Sequence, residues 1–111
     1  MMATMWHNPR CSKSRETLQI LLDAGVEVKL IEYLKDPPSR LLLAAMYEKA
    51  GMRPRDGLRT SEPAAKPLAD ASDDEILDAM AANPTLIERP MVEIDYKVRL
   101  YRPPEKVREL F

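Results

Sequence analysis

The chain has 111 residues, with 17 Lys plus Arg against 18 Asp plus Glu and a formal net charge of −1. This is the size of one ordinary domain, and the balanced charge excludes the clustered basic surplus of a nucleic-acid-binding surface. No apolar run nears the roughly 20 residues that cross a bilayer. Met1 to Arg10 lacks the charged start and apolar stretch of a secretory signal, so a soluble cytoplasmic protein with no membrane partner is expected.

Taken in chain order, Ala3 to Trp6 predicts a short strand, closed by the turn signal Asn8-Pro9. From Ser12 to Ala24 the period becomes helical, with Leu18, Leu21 and Leu22 on one face and Lys13, Arg15, Glu16 and Asp23 off it. Gly25 stands where a left-handed C-terminal cap is wanted. Val26 to Leu30 alternates with period two and extends through Ile31 to Tyr33 as a second strand. Strand, helix, strand reads as a βαβ unit with parallel strands.

Ser39 caps a predicted helix from Arg40 to Ala50 that stops at Gly51. Ser72 and Glu75 form a capping box for a helix carrying Ile76, Leu77 and Met80, which ends before Asn83-Pro84. Between these helices, Arg53 to Ala71 reads as a short helix near Asp56 to Thr60 and an irregular loop. Met91 to Ile94 and Lys97 to Leu100 predict a hairpin turning at Asp95-Tyr96, and Glu105 to Phe111 a last helix. The sum is a single α/β domain over 1–111: a four-stranded mixed sheet flanked by helices, with a helical insertion at about 39–83.

Cys11 and His7 are the one cysteine and the one histidine. Their counts exclude an internal disulfide, a Cys-based zinc site and a multi-His metal centre. Chemistry must come from one thiol, one imidazole, carboxylates, arginines and backbone dipoles. An isolated cysteine is most simply a small buried hydrophobe. Cys11, however, falls at the junction of the first strand and first helix, with Arg10, Lys13 and Arg15 beside it. The free N–H groups of a helix's first turn and nearby cations lower a thiol pKa, and the same groups hold oxyanions.

The segment His7-Asn8-Pro9-Arg10-Cys11-Ser12-Lys13-Ser14-Arg15 resembles the active-site segment of the glutaredoxin-coupled, ArsC-type arsenate reductases. Tyr33-Leu34 with Pro37-Pro38-Ser39-Arg40, Leu58-Arg59-Thr60 with Glu62, Ile87-Glu88-Arg89-Pro90, and Arg102-Pro103-Pro104-Glu105 resemble that family's later blocks in the same order. The resemblance implies a thioredoxin-like fold and a nucleophilic role for Cys11. It implies that Arg59, Arg89 and Arg102 hold the oxyanion and the arsenical intermediate. It places His7 close to the nucleophile and the side chain of Ser14 within reach of the thiolate, and makes the Arg89–Pro90 bond cis. Taken singly, Arg59 and Arg102 would read as surface arginines and His7 as a structural residue.

With no second cysteine to resolve an intermediate, the resemblance implies external thiols: glutathione as co-substrate and glutaredoxin as reductant, with arsenate as substrate. No bound metal, flavin or nucleotide is expected. Three features depart from the family pattern: a shortened Glu62 to Ser72 segment, a hairpin turn without Gly, and Tyr101 where a small residue is expected before Arg102. Two other functions stand beside this one. Cys11-Ser12-Lys13-Ser14 is a C-x-x-S arrangement suited to a glutathione-linked thiol/disulfide reductase. Spx-like RNA polymerase-binding redox regulators resemble the same fold, but usually carry C-x-x-C where this chain has Ser14.

Overall fold

A computed structural model of the chain describes residues 2–94, 97–100 and 107–108. They group into two compact units, Met1–Asp36 with Arg89–Phe111, and Pro37–Glu88.

The first unit holds the sheet. β1 (Met2–His7), α1 (Ser12–Asp23), β2 (Glu27–Glu32), β3 (Met91–Ile94) and β4 (Lys97–Leu100) follow in chain order. The strand order is β2-β1-β3-β4. β1 runs parallel to β2, with Met5 opposite Leu30, and antiparallel to β3, with Met5 opposite Val92. A parallel pair needs a crossover, and α1 provides it. β1 lies between two strands and is mostly buried, whereas β2 lies at the sheet edge and exposes Glu27 and Lys29, charges that discourage further strand pairing. Ala3, Met5, Leu21, Val26, Val92, Ile94 and Val107 form the core of this unit, with Leu18, Ile20 and Val28 packed against it. Gly25 takes φ +79°, and the Gly25 and Val26 N–H groups bond to the Leu22 and Leu21 carbonyls at 3.0 Å, closing α1 in the predicted left-handed cap.

The second unit is helical. In α2 (Arg40–Ala50), Ser39 Oγ accepts from the Leu42 N–H at 3.1 Å, and Gly51 ends the helix at φ +67°. In α3 (Asp73–Ala82), Ser72 and Glu75 exchange side-chain and backbone bonds at 3.2 Å each, the predicted capping box. α2 and α3 pack together, with the Tyr47 hydroxyl 3.6 Å from Met80 Sδ. Arg40 meets Asp74 and Asp78 on the surface at 2.8 and 2.5 Å.

The stretch between these helices differs from the sequence expectation. A 3₁₀ turn occupies Pro54–Gly57 rather than a helix at Asp56–Thr60, and a second occupies Pro63–Leu68. Pro54 suits a first helical position, and the Arg53 N–H donates to Asp56 Oδ2 at 2.9 Å, so the turn starts earlier. Leu58 leaves it to form a β-bridge with Ile87, and the Arg59 N–H bonds to the Leu86 carbonyl at 2.8 Å. Those long-range bonds keep Leu58 and Arg59 out of the helix. β2 likewise stops at Glu32, where the Lys35 and Asp36 N–H groups turn back onto its carbonyl. Of the expected last helix, Val107 and Arg108 are in 3₁₀ conformation. The rest of it, the turn at 95–96, Tyr101 and Arg102 lie outside the described residues.

Candidate active site around Cys11

β1 ends at His7 and α1 begins at Ser12, so the loop between them carries Cys11 to the helix start. Cys11 is the N-cap of α1, with extended backbone (φ −94°, ψ 121°), and its carbonyl accepts from the Arg15 N–H at 3.0 Å. Four further bonds hold this loop. The Cys11 N–H donates to the Asn8 carbonyl at 3.0 Å, and the Arg10 N–H to Asn8 Oδ1 at 3.0 Å. The Asn8 N–H donates to Ser14 Oγ at 3.1 Å, and Arg15 Nη1 to the Pro9 carbonyl at 2.9 Å. The loop is thus tied at both ends to the first turn of the helix it feeds.

Cys11 is 8% exposed. Burial pushes its thiol pKa up, but the Ser14 N–H, the charge and hydrogen bond of the Arg89 side chain, and the Lys13 N–H outweigh burial, and the net value is lowered. No N-cap side-chain hydrogen bond of full geometry forms to the sulfur. The Ser14 and Lys13 N–H groups therefore act as oriented dipoles that favour negative charge, as at other helix N-termini. Arg89 is 9% exposed, and a cis peptide bond joins it to Pro90, as the resemblance implies.

His7 and Ser14 are buried and bonded to each other, Nδ1 to Oγ, at 2.7 Å. Burial lowers the His7 pKa; Glu32 opposes that shift and Arg15 adds to it. The ring is consequently neutral at pH 7, and its tautomer decides which partner donates. The sequence expectation put the Ser14 side chain within reach of the thiolate. In the structure its main-chain N–H faces the sulfur, and its hydroxyl serves His7 and Asn8.

The site thus joins Cys11, Ser14, His7 and Arg89. Arg59 belongs to the second unit, where its Nη1 is 3.1 Å from Glu62 Oε1 and both side chains are about one-quarter exposed (26% and 28%). Its Nε is buried without a hydrogen-bond partner among the described residues. Arg102 lies outside them. Sequence reasoning missed Asn8 as the knot of the loop and Glu62 as the partner of Arg59. Asn before Pro and acid three residues after Arg were the available signals. Among the described residues no three His, Cys, Asp or Glu side chains come together as a metal site, and no helix is long and apolar enough to cross a membrane.

A β-α-β start, a four-stranded mixed sheet, and one thiol at the first helix's N-terminus beside an Arg–cis-Pro bond define a thioredoxin-like protein built around a single charge-stabilised cysteine. Residues 6–110 match the model of the ArsC family. The chain is 42% identical over 117 residues to an arsenate reductase of Rhizobium meliloti (strain 1021), covering 99% of this chain and 81% of that protein. It is 42% identical over 111 residues to the uncharacterized protein YfgD of Escherichia coli (strain K12), covering 96% and 93%. A solved arsenate reductase from Vibrio cholerae superposes with a TM-score of 0.94 at 40% identity, covering 100% of this chain and 98% of that one. The chain belongs to the ArsC family, the arsenate reductase family.

Proposed function

We propose that the protein reduces arsenate to arsenite, with Cys11 as nucleophile. The observation that carries this reading is the placement of Cys11, buried at the N-terminus of α1 with two helix N–H groups and the Arg89 side chain turned on its sulfur, an arrangement that lowers the thiol pKa against the effect of burial. An attacking sulfur must be a thiolate, and bringing it against an anion needs positive charge and oriented donors at the same place. A guanidinium stays charged at every working pH and offers a planar fork of donors to an oxyanion.

Arg89 acts at the sulfur, and Arg59 and Arg102 are the further oxyanion-binding groups that family resemblance supports. Cys11 forms a bond to arsenic, glutathione adds to the arsenical, and glutaredoxin reduces the mixed species so that arsenite leaves. His7 and Ser14 support the thiol: Ser14 through its N–H, and His7 by holding the Ser14 hydroxyl. Single-cysteine chemistry of this kind suits the reducing cytoplasm.

The test is arsenate reduction coupled to glutathione and glutaredoxin, comparing wild type with Cys11→Ser. Turnover in wild type and only background in the variant is the expected result. A wild type without turnover, or a variant that keeps it, overturns the reading.

A further inference from the structure

We propose that a cavity beside the Cys11 loop binds the zwitterionic amino-acid arm of a peptide thiol of the glutathione type and so delivers its sulfur to Cys11. This rests on the reading above that a thiol of this type adds to the arsenical held on Cys11, and it assigns that thiol a place on the protein.

The cavity, of about 240 Å³, lies within the first unit and is lined by His7, Pro9, Arg10, Glu32, Leu34 and Lys35. Its wall and the nucleophile share one loop. Pro9 and Arg10 directly precede Cys11, so the chain can place the Pro9 Cα no more than about 7 Å from that of Cys11. A ligand seated there lies against the loop that carries Cys11.

Charge and size select the ligand class. The lining carries two cationic side chains, Arg10 and Lys35, and one carboxylate, Glu32. A bare oxyanion would meet the Glu32 carboxylate as well as the cations. A molecule with both a carboxylate and an ammonium group can pair with each sign. Glu32 and Lys35 are only loosely engaged with each other, at 3.7 Å with side chains 42% and 80% exposed, and such a pair stabilises the fold little and can exchange partners. Pro9 and Leu34 supply apolar wall for the methylenes of the arm. Cavities that enclose a whole drug-sized ligand run to roughly 300–1,000 Å³. This one is smaller, which suits one amino-acid arm with the rest of the peptide, its sulfur included, left outside it.

The experiment uses the full chain and glutathione disulfide, without arsenate. The Cys11 thiolate attacks one sulfur of the disulfide. The Cys11–S–S–glutathione bond forms, the reagent's S–S bond breaks, and one glutathione thiolate leaves. The rate of mixed-disulfide formation is followed by mass spectrometry for wild type, Lys35→Glu and Lys29→Glu. Lys29 is an exposed residue of β2 outside the cavity lining, so its variant makes the same charge change without touching the proposed site. Uncharged hydroxyethyl disulfide serves as a reagent with no arm to anchor.

Lys35→Glu is expected to slow the reaction with glutathione disulfide roughly fivefold relative to Lys29→Glu. All three proteins are expected to react alike with hydroxyethyl disulfide, which also shows that they are folded with an unchanged thiol. Equal slowing in both variants, slowing with both reagents, no slowing in Lys35→Glu, or a wild type inert to glutathione disulfide would each overturn the proposal. Because arsenate is absent, failure of arsenate reduction and failure of this subsite are read from separate experiments.

Discussion

The helical unit and the loop around Cys11 use arginine in opposite ways. In the helical unit Arg40 meets Asp74 and Asp78, Arg53 meets Asp73, and Arg59 meets Glu62. Arg55 donates to the Ala71 carbonyl at 2.6 Å. In the first unit Arg15 pins the Pro9 carbonyl, and Arg89 faces the Cys11 thiol. A guanidinium on an exposed carboxylate joins two groups that water already solvates well, and the gain is small. The same group against a buried thiol changes which protonation state the thiol prefers. The residue type is shared; burial and the partner's pKa decide whether it holds a surface together or sets chemistry.

The contrast is broken most forcefully at Arg89. Arg89→Ala is expected to lower turnover by about two to three powers of ten, the usual loss for one donor at a developing anion. The rise of iodoacetamide alkylation with pH should move upward in the same variant. Lost turnover with an unmoved alkylation profile would make Arg89 a packing residue and erase the distinction between the two groups of arginines.

In the helical unit the largest effects should come from packing rather than charge. A Cβ on Gly57 would collide with the Tyr47 ring, and Tyr47 is fully buried. Gly57→Ala should therefore cost about 1–3 kcal/mol through overpacking, read as a lowered midpoint in urea or on heating. An unchanged midpoint would mean that the ring moves aside freely. Smaller again is the loss of the α3 capping box: Ser72→Ala should cost about 1 kcal/mol, with the exposed Ser72→Gly losing less. If both variants unfold like wild type, the two 3.2 Å bonds at that helix start contribute nothing.

The features legible in the sequence were local ones. The caps at Ser39 and Ser72 and the left-handed stops at Gly25 and Gly51 depend on neighbours within a turn, and the structure places them at the expected positions. The strand-to-helix junction put Cys11 at a helix start for the same reason. The stretch from Arg53 to Leu68 was misread because its turns answer to Pro54, Pro63 and the distant Leu58–Ile87 bridge rather than to helical period. Arg89 illustrates a different limit. Nothing local marks it as a partner of Cys11; the later strands of the fold bring it there, and only family resemblance named it in advance. The Ser14 hydroxyl shows the converse, since its bonds to the His7 ring and the Asn8 N–H are local contacts that the resemblance did not name.

The central claim is that the fold lowers the Cys11 thiol pKa despite burying the group. By linkage, the folded chain gives up the thiol proton at a lower pH than the unfolded chain does, so the unfolded state binds more protons between those two values. Stability should then rise with pH across the window that ends near the ordinary thiol value of about 8.5, be fully present above it, and be lost below it, with Cys11→Ala flattening the rise. The most direct measurement is the rate of Cys11 alkylation by iodoacetamide as a function of pH in the native protein. The account predicts an inflection clearly below about 8.5, and an inflection at or above that value would contradict it.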